Sequence, residues 1–167
     1  MRRQGAHYKV PFRRRRRAET DYRQRLRLLL SHEHRAVVRK TLNNMIVQVV
    51  AYDRAGDRVV ASAVSRELVK RGWTAGTGNT AAAYLTGFLA GKRAVRSGVA
   101  RAVLDIGMQS PSRGGRVFAV LRGLVDAGVS IPHAAEVLPT DDRIRGIHIN
   151  AALPKAFDAV RATLEAE

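Results

Sequence analysis

The sequence contains no cysteine, and it is poor in aromatic residues. The absence of cysteine excludes disulfide bonds and cysteine-ligated zinc, and it is compatible with a reducing compartment. Aromatic residues make up 5% of the 167 residues and hydrophobic residues 46%, so the core must consist mainly of aliphatic side chains. This length is sufficient for one folded domain with tails.

Long apolar runs are also missing. No run reaches the roughly 18 residues that a membrane-spanning helix requires. The basic N-terminus is not followed by an apolar stretch with a cleavage site, so no secretory signal is expected. We therefore expect neither a membrane-spanning nor a secreted protein, and no membrane partner.

Acidic residues are scarce, since 14 Asp and Glu stand against 30 Lys and Arg, giving a net charge of +16. Residues 1–40 carry 14 basic and 3 acidic side chains, whereas the other 127 residues carry 16 basic and 11 acidic ones. About two-thirds of the excess charge therefore lies in the first quarter of the chain. This asymmetry is typical of a basic arm attached to a moderately basic domain that binds a polyanion.

The arm, defined as residues 1–17, carries the strongest functional signal. Five consecutive arginines at 13–17 lie near Tyr8 and Phe12, and mutual repulsion predicts that the free arm has no regular structure. Arginine binds phosphate bidentately and stacks on bases, and each phosphate contact releases counterions. RNA is favoured over DNA because no recognition helix is evident and aromatics on a basic arm suit unstacked bases. A nuclear-localisation signal or a solvated tail is the alternative.

Apolar periodicity and turn residues predict the elements after the arm. These are an amphipathic basic helix from about 21 to 30, strands at 35–41, 45–53 and 58–64, helices at 65–71 and 80–97, a strand at 101–107, and helices at 115–127 and 153–166. The first three strands should form an antiparallel meander. The element order predicts an α/β fold with three α/β/α layers around a mixed sheet. The expected divisions are the arm, a globular domain at 18–135, and an irregular segment with a C-terminal helix at 136–167.

No cofactor or metal is predicted. Residues 76–81 match G-x-G-x-x-A, but a dinucleotide site should follow a strand, and here a helix ending at Gly72 precedes the loop. The loop contains no lysine for a P-loop. Its backbone N–H groups could instead hold an RNA phosphate, or the loop could simply cap the next helix. The five histidines are too scattered for a metal site.

Catalysis is also not expected. Metal-dependent phosphodiester cleavage needs several convergent carboxylates. Asp105 is the one acid in the interior of a predicted strand, and Asp53 ends another. Asp21, Asp57 and Glu67 are interpreted as capping or solvated, and Trp73 as a core residue. An RNA-processing nuclease and a generic polyanion-binding module remain the alternatives to a structural RNA-binding protein.

The sequence resembles the archaeal and eukaryotic-type L-eighteen family of large-subunit ribosomal proteins over nearly its whole length. The most similar pieces are TGNTAAAYLTG at 77–87, VLDIG at 103–107 and RVFA at 116–119. Further similar segments, in order, are YKVPFRRR at 8–15, then 20–23, 38–41, 58–62, 65–68, 125–128 and 131–133. Leu42 and Ile147 depart from the pattern, since the family often has polar residues at the first position and usually Glu at the second.

The resemblance implies a ribonuclease-H-like α/β/α fold without nuclease activity. It also implies a single copy in the large ribosomal subunit, bound to 5S rRNA in the central protuberance, to large-subunit rRNA and to a neighbouring 5S-binding ribosomal protein. Charge, position and resemblance together select the candidate RNA-binding residues. These are Arg2, Arg3, Tyr8, Lys9, Phe12, Arg13, Arg14, Arg15, Arg16, Arg17, Arg23, Arg25, Arg27, Arg39, Lys40, Asn43, Asn44, Thr77, Gly78 and Asn79.

Overall fold

The computed structural model describes residues 5–167. Its α-helices are α1 (Arg13–Arg16), α2 (Tyr22–Leu29), α3 (Thr80–Arg96), α4 (Arg116–Asp126), α5 (Asp141–Arg145) and α6 (Leu153–Ala166). Its strands are β1 (His34–Lys40), β2 (Met45–Ala51), β3 (Arg58–Val64) and β4 (Ala102–Asp105), and Ser65–Arg71 and Ala135–Val137 are 3-10 helices. The predicted strands and long helices are confirmed, with bounds that differ by at most two residues.

The four strands form one mixed sheet in the order β3-β2-β1-β4. Antiparallel pairing joins β1 to β2 and β2 to β3, as the short turns predicted, whereas β4 lies parallel to β1. Parallel strands need a long crossover, and the chain between β3 and β4 supplies it with α3. The predicted meander and mixed sheet are therefore confirmed.

Alternation along the strands divides the sheet into two unlike faces. Ala36, Val38, Val47 and Val49 are fully buried on the face that α3 and α4 cover. The opposite face lies beneath α2, across a cleft of about 760 Å³. These are the three layers that the element order predicted.

Close contact between α3 and α4 depends on two glycines. A Cβ atom added at Gly87 would overlap the carbonyl oxygen of Val120, and one added at Gly123 would overlap that of Tyr84. The helices therefore pack backbone against backbone at these two positions, where only glycine leaves room for the approach.

The C-terminal helix α6 joins the same core. Phe157, Val160 and Leu164 are buried, and the Phe157 ring lies 5.5 Å from that of Tyr84 on α3. Trp73 is also almost fully buried, as expected, and its indole N–H donates to the Gly76 carbonyl at 3.3 Å.

Two expectations about irregular structure are wrong. Within the arm, Arg13–Arg16 forms one helical turn, in which Arg14 has polar partners just beyond the run. Arg14 donates to the Thr20 hydroxyl at 2.9 Å and lies 3.6 Å from the Glu19 carboxylate. The segment expected to be irregular also contains α5, which buries Ile144. Among residues 5–167, no helix is long and apolar enough to cross a membrane.

Candidate nucleic-acid interface

The arm presents exposed arginines next to exposed aromatic rings. Phe12 is 71% exposed and Tyr8 45% exposed, and the Phe12 ring lies 5.3 Å from the ring of Tyr22 at the start of α2. The structure thus connects the arm to α2 through an aromatic pair. The candidate residues Lys9 and Arg13–Arg16 are exposed, while Arg2 and Arg3 lie outside the described residues.

The helix α2 begins at Tyr22 because Asp21 caps it. One Asp21 carboxylate oxygen accepts from the backbone N–H groups of Arg23 at 2.9 Å and Gln24 at 3.2 Å, which satisfies donors that a helix start otherwise leaves free. Arg23 and Arg27 are exposed, whereas Arg25 is directed to the sheet and is 33% exposed. Two of the three candidate arginines on α2 are therefore open to a ligand.

The candidate residues in the β1–β2 turn and in the loop before α3 lie together. The Thr77 hydroxyl donates to the Asn43 carbonyl at 2.6 Å, and its oxygen lies 3.1 Å from the Asn44 side-chain oxygen. Gly78 approaches so closely that an added Cβ would lie 2.8 Å from the Leu42 carbonyl oxygen. The two groups, 34 residues apart in sequence, thus form one surface.

A third segment, after β4, completes this surface. The Lys40 backbone N–H donates to the Gln109 side chain at 3.3 Å, and the Gln109 amide donates to the Val38 carbonyl at 3.0 Å. At the other end of the segment, Arg116 donates to the Gly78 carbonyl at 2.8 Å. We call residues 40–44, 76–79 and 107–116 the sheet-end surface.

Sequence reasoning missed the third segment as a candidate site. Its Gly, Ser, Pro and Arg composition indicates a loop, but nothing local indicates that it borders the other two segments. It adds the exposed Arg113 and the half-buried Arg116 to the exposed Lys40. All three cations therefore lie at one end of the sheet.

This surface also offers backbone donors. The Asn79 side chain accepts from the Ala82 N–H at 2.7 Å and so caps α3, which was one of the two expectations for this loop. No group within residues 5–167 accepts a hydrogen bond from the N–H groups of Thr77, Gly78 or Asn79. These donors and the nearby cations can together bind an anionic oxygen.

Under α2, five side chains of alternating charge cross the opposite face of the sheet in the order Arg25, Asp57, Arg35, Asp105, Arg39; we call them the charge network. Arg25 contacts Asp57 at 2.9 Å, and Arg35 bridges Asp57 to Asp105, the latter at 2.9 Å. Arg39 donates to the Asp105 carboxylate at 3.1 Å and to its carbonyl at 2.8 Å. Two candidate RNA-binding arginines, Arg25 and Arg39, are thus paired within the protein.

Burial and charge act in opposite directions on Asp57. Partial burial tends to raise the pKa of this carboxyl group, but hydrogen bonds and charge from Arg25 and Arg35 outweigh it and lower the pKa below its ordinary value. The interpretation of Asp57 as a capping or solvated residue is therefore wrong. The signal that could have indicated its role is Arg35, a cation that directly precedes the apolar residues 36–38 within a predicted strand.

The Asp105 site is poorly suited to nuclease chemistry. Its side chain is 8% exposed, and both carboxylate oxygens accept from arginine. Residues 5–167 contain no group of three His, Asp or Glu side chains placed to hold a metal ion, although metal-assisted phosphodiester cleavage needs convergent carboxylates. The arrangement is that of a structural ion pair.

Comparison with known proteins gives concordant matches from a family model and from individual relatives. Residues 6–99 and 96–134 match the family model of ribosomal large subunit proteins 60S L5 and 50S L18. The chain is also 52% identical over 168 aligned residues to the large ribosomal subunit protein uL18 of Methanococcoides burtonii. That alignment covers 98% of this chain and 97% of the relative.

Proposed function

Because this chain belongs to the family of ribosomal large subunit proteins 60S L5 and 50S L18, and is thus a structural constituent of the large subunit of the cytoplasmic ribosome, we propose that it binds 5S rRNA. In this proposal it helps attach 5S rRNA to the central protuberance. It does so as a single copy, through contacts with large-subunit rRNA and a neighbouring 5S-binding ribosomal protein. Its contribution is binding rather than catalysis.

The observation that carries the proposal is that two regions of one small body, each built from different segments of the chain, present exposed cations. The first consists of the arm and the outer side of α2, with exposed arginines and the rings of Tyr8 and Phe12. The second is the sheet-end surface, where loop donors and three cations meet. Two such surfaces suit a protein that bridges segments of folded RNA.

The two surfaces bind RNA by different physical means. On the arm, guanidinium groups contact phosphates and exposed rings stack on unpaired bases, so binding there is mainly electrostatic. On the sheet-end surface, Thr77, Gly78 and Asn79 supply donors from a fixed backbone. The arm therefore contributes most of the salt dependence of binding, and the sheet-end surface contributes hydrogen-bond donors in a fixed geometry.

Filter binding of 5S rRNA over a series of salt concentrations tests the arm. Deletion of residues 2–17 removes eight basic and no acidic side chains. We expect weaker binding and a flatter dependence on salt, by about 0.7–0.9 in logarithmic slope for each phosphate that the shortened protein no longer neutralises. Unchanged affinity and slope would refute the role of the arm.

A pair of charge-matched variants tests the sheet-end surface. Arg113→Gln removes an exposed cation from that surface, whereas Arg96→Gln removes one from the far end of α3, about 24 Å from its first residue by helical rise. We expect only Arg113→Gln to weaken binding. A scrambled RNA of equal length serves as a second control, and equal binding of both RNAs would indicate a generic polyanion binder.

A further inference from the structure

The helix α2 is attached to the body by little apolar contact. None of its eight residues is buried, and a cleft of about 760 Å³ lies between it and the sheet. An isolated helix of this length is marginal in water. Tertiary contacts must therefore hold both its structure and its orientation.

Arg25 supplies the most specific of these contacts. Within residues 5–167, its 2.9 Å hydrogen bond to Asp57 is the one side-chain hydrogen bond that connects α2 to another part of the fold. Asp57 lies in the β2–β3 turn and is itself held by Arg35, whose side chain is only 3% exposed. The position of α2 is thus fixed relative to the sheet through a carboxylate between two arginines.

Arg23 and Arg27 are exposed on the same helix, and the arginine run at 13–17 ends four residues before the helix begins. If α2 turned or detached, these cations would no longer be presented together. We propose that Asp57 and Arg25 are positioning residues for RNA binding, which hold α2 so that its exposed arginines and the arm face one RNA surface. This inference rests on the proposed 5S rRNA binding.

The sign of one substitution separates positioning from simple electrostatics. Asp57→Asn removes a negative charge and raises the net charge from +16 to +17. Attraction to a polyanion alone would then strengthen binding. Positioning predicts the opposite, because the variant no longer has the carboxylate that orients α2.

The same turn contains a matched control. Asp53 is exposed, and its carboxylate accepts only from the local Ala55 N–H at 3.1 Å among residues 5–167. Asp53→Asn makes the same change in charge at almost the same place, and asparagine can keep the turn. The two variants thus differ in the contact that they alter: the Asp57 carboxylate accepts from Arg25 on α2, whereas the Asp53 carboxylate accepts from the local Ala55 N–H.

The test is filter binding of 5S rRNA to the full chain, with circular dichroism as a check of folding. We expect Asp53→Asn to bind as well as the unmodified protein or more tightly, and Asp57→Asn to bind at least about fivefold more weakly. If Asp57→Asn binds as tightly as Asp53→Asn, the positioning role is overturned. If the unmodified protein does not bind 5S rRNA, the proposed function fails instead.

A second pair keeps the test decisive if Asp57→Asn does not fold. Arg25→Gln and Arg27→Gln each remove one cation from α2, so electrostatics alone predicts similar decreases in affinity. We expect a larger decrease for Arg25→Gln, together with faster amide hydrogen exchange at 22–29 in the free protein. A decrease no greater than that of Arg27→Gln, or unchanged exchange, would overturn the inference.

Discussion

The two faces of the sheet are built from alternate residues of the same strands, yet they work in different ways. On one face, Ala36 and Val38 of β1 are buried against α3 and α4. On the other, Arg35 and Arg39 pair with carboxylates below α2. The first face stabilises the fold by close packing, whereas the second fixes the position of a basic helix by directional contacts. Because successive side chains of a strand point to opposite faces of the sheet, one strand can contribute both to the core and to the positioning of a binding surface.

The largest expected effect tests whether the charged face is also essential for stability. Asp105→Asn leaves the buried Arg35 without its partner on one side, and removing one member of a buried pair should cost about 3 kcal/mol in free energy of unfolding. Urea denaturation measures this. Asp158→Asn, which alters an exposed pair with Arg145 at 3.8 Å, should cost less than about 1 kcal/mol. Equal losses in free energy of unfolding for the two variants would contradict the view that the buried pair contributes more to stability than the exposed pair.

A smaller effect is expected on the packed face. In a helix interior, Gly→Ala ordinarily stabilises by up to about 1 kcal/mol. At Gly87 the added Cβ would overlap the Val120 carbonyl, so Gly87→Ala should instead destabilise by about 2 kcal/mol in urea denaturation. Gly76→Ala is the control, since an added Cβ there meets nothing within 4 Å. A stabilised Gly87→Ala variant would show that α3 and α4 do not need this close approach.

The smallest expected effect is the pH dependence that the charged face adds. The pKa of Asp57 is lowered from its ordinary value of 3.8, so the folded state binds a proton less readily than the unfolded state does. The resulting stabilisation is complete above pH 3.8 and disappears as the pH falls through the lower, folded-state pKa. Urea unfolding at several pH values should therefore show a shallower acid-side decline for Asp57→Asn. If the stability of Asp57→Asn falls with decreasing pH as steeply as that of the unmodified protein, the pairing of Asp57 with Arg25 and Arg35 is contradicted.

The elements were predictable from local sequence because they depend on local physics. Asp21 was interpreted as a capping or solvated residue and caps α2, and the helix expected to end at Gly72 ends there; the structure confirms both. The helical turn at 13–16 was not predicted. Arg14 of this turn contacts Glu19 and Thr20, and a count of like charges takes no account of such contacts.

The candidate site was predictable only in part. Composition identified the basic arm, and the loop at 76–79 was recognisable from its glycines. The sequence did not indicate which arginines are open to a ligand. Arg25 and Arg27 look alike in sequence, but Arg25 is paired with the carboxylate of Asp57, 32 residues further along the chain. The role of Asp57 therefore escaped local reasoning.

The sequence by itself determined the class of fold, the family and the concentration of positive charge at one end of the chain, because periodicity, motifs and composition are properties of neighbouring residues. Only the tertiary structure decided that residues 40–44, 76–79 and 107–116 share one surface and that Arg25 and Arg39 are held by carboxylates. The physical reason is the parallel crossover. It brings β4 beside β1 and places loops distant in sequence at the same end of the sheet.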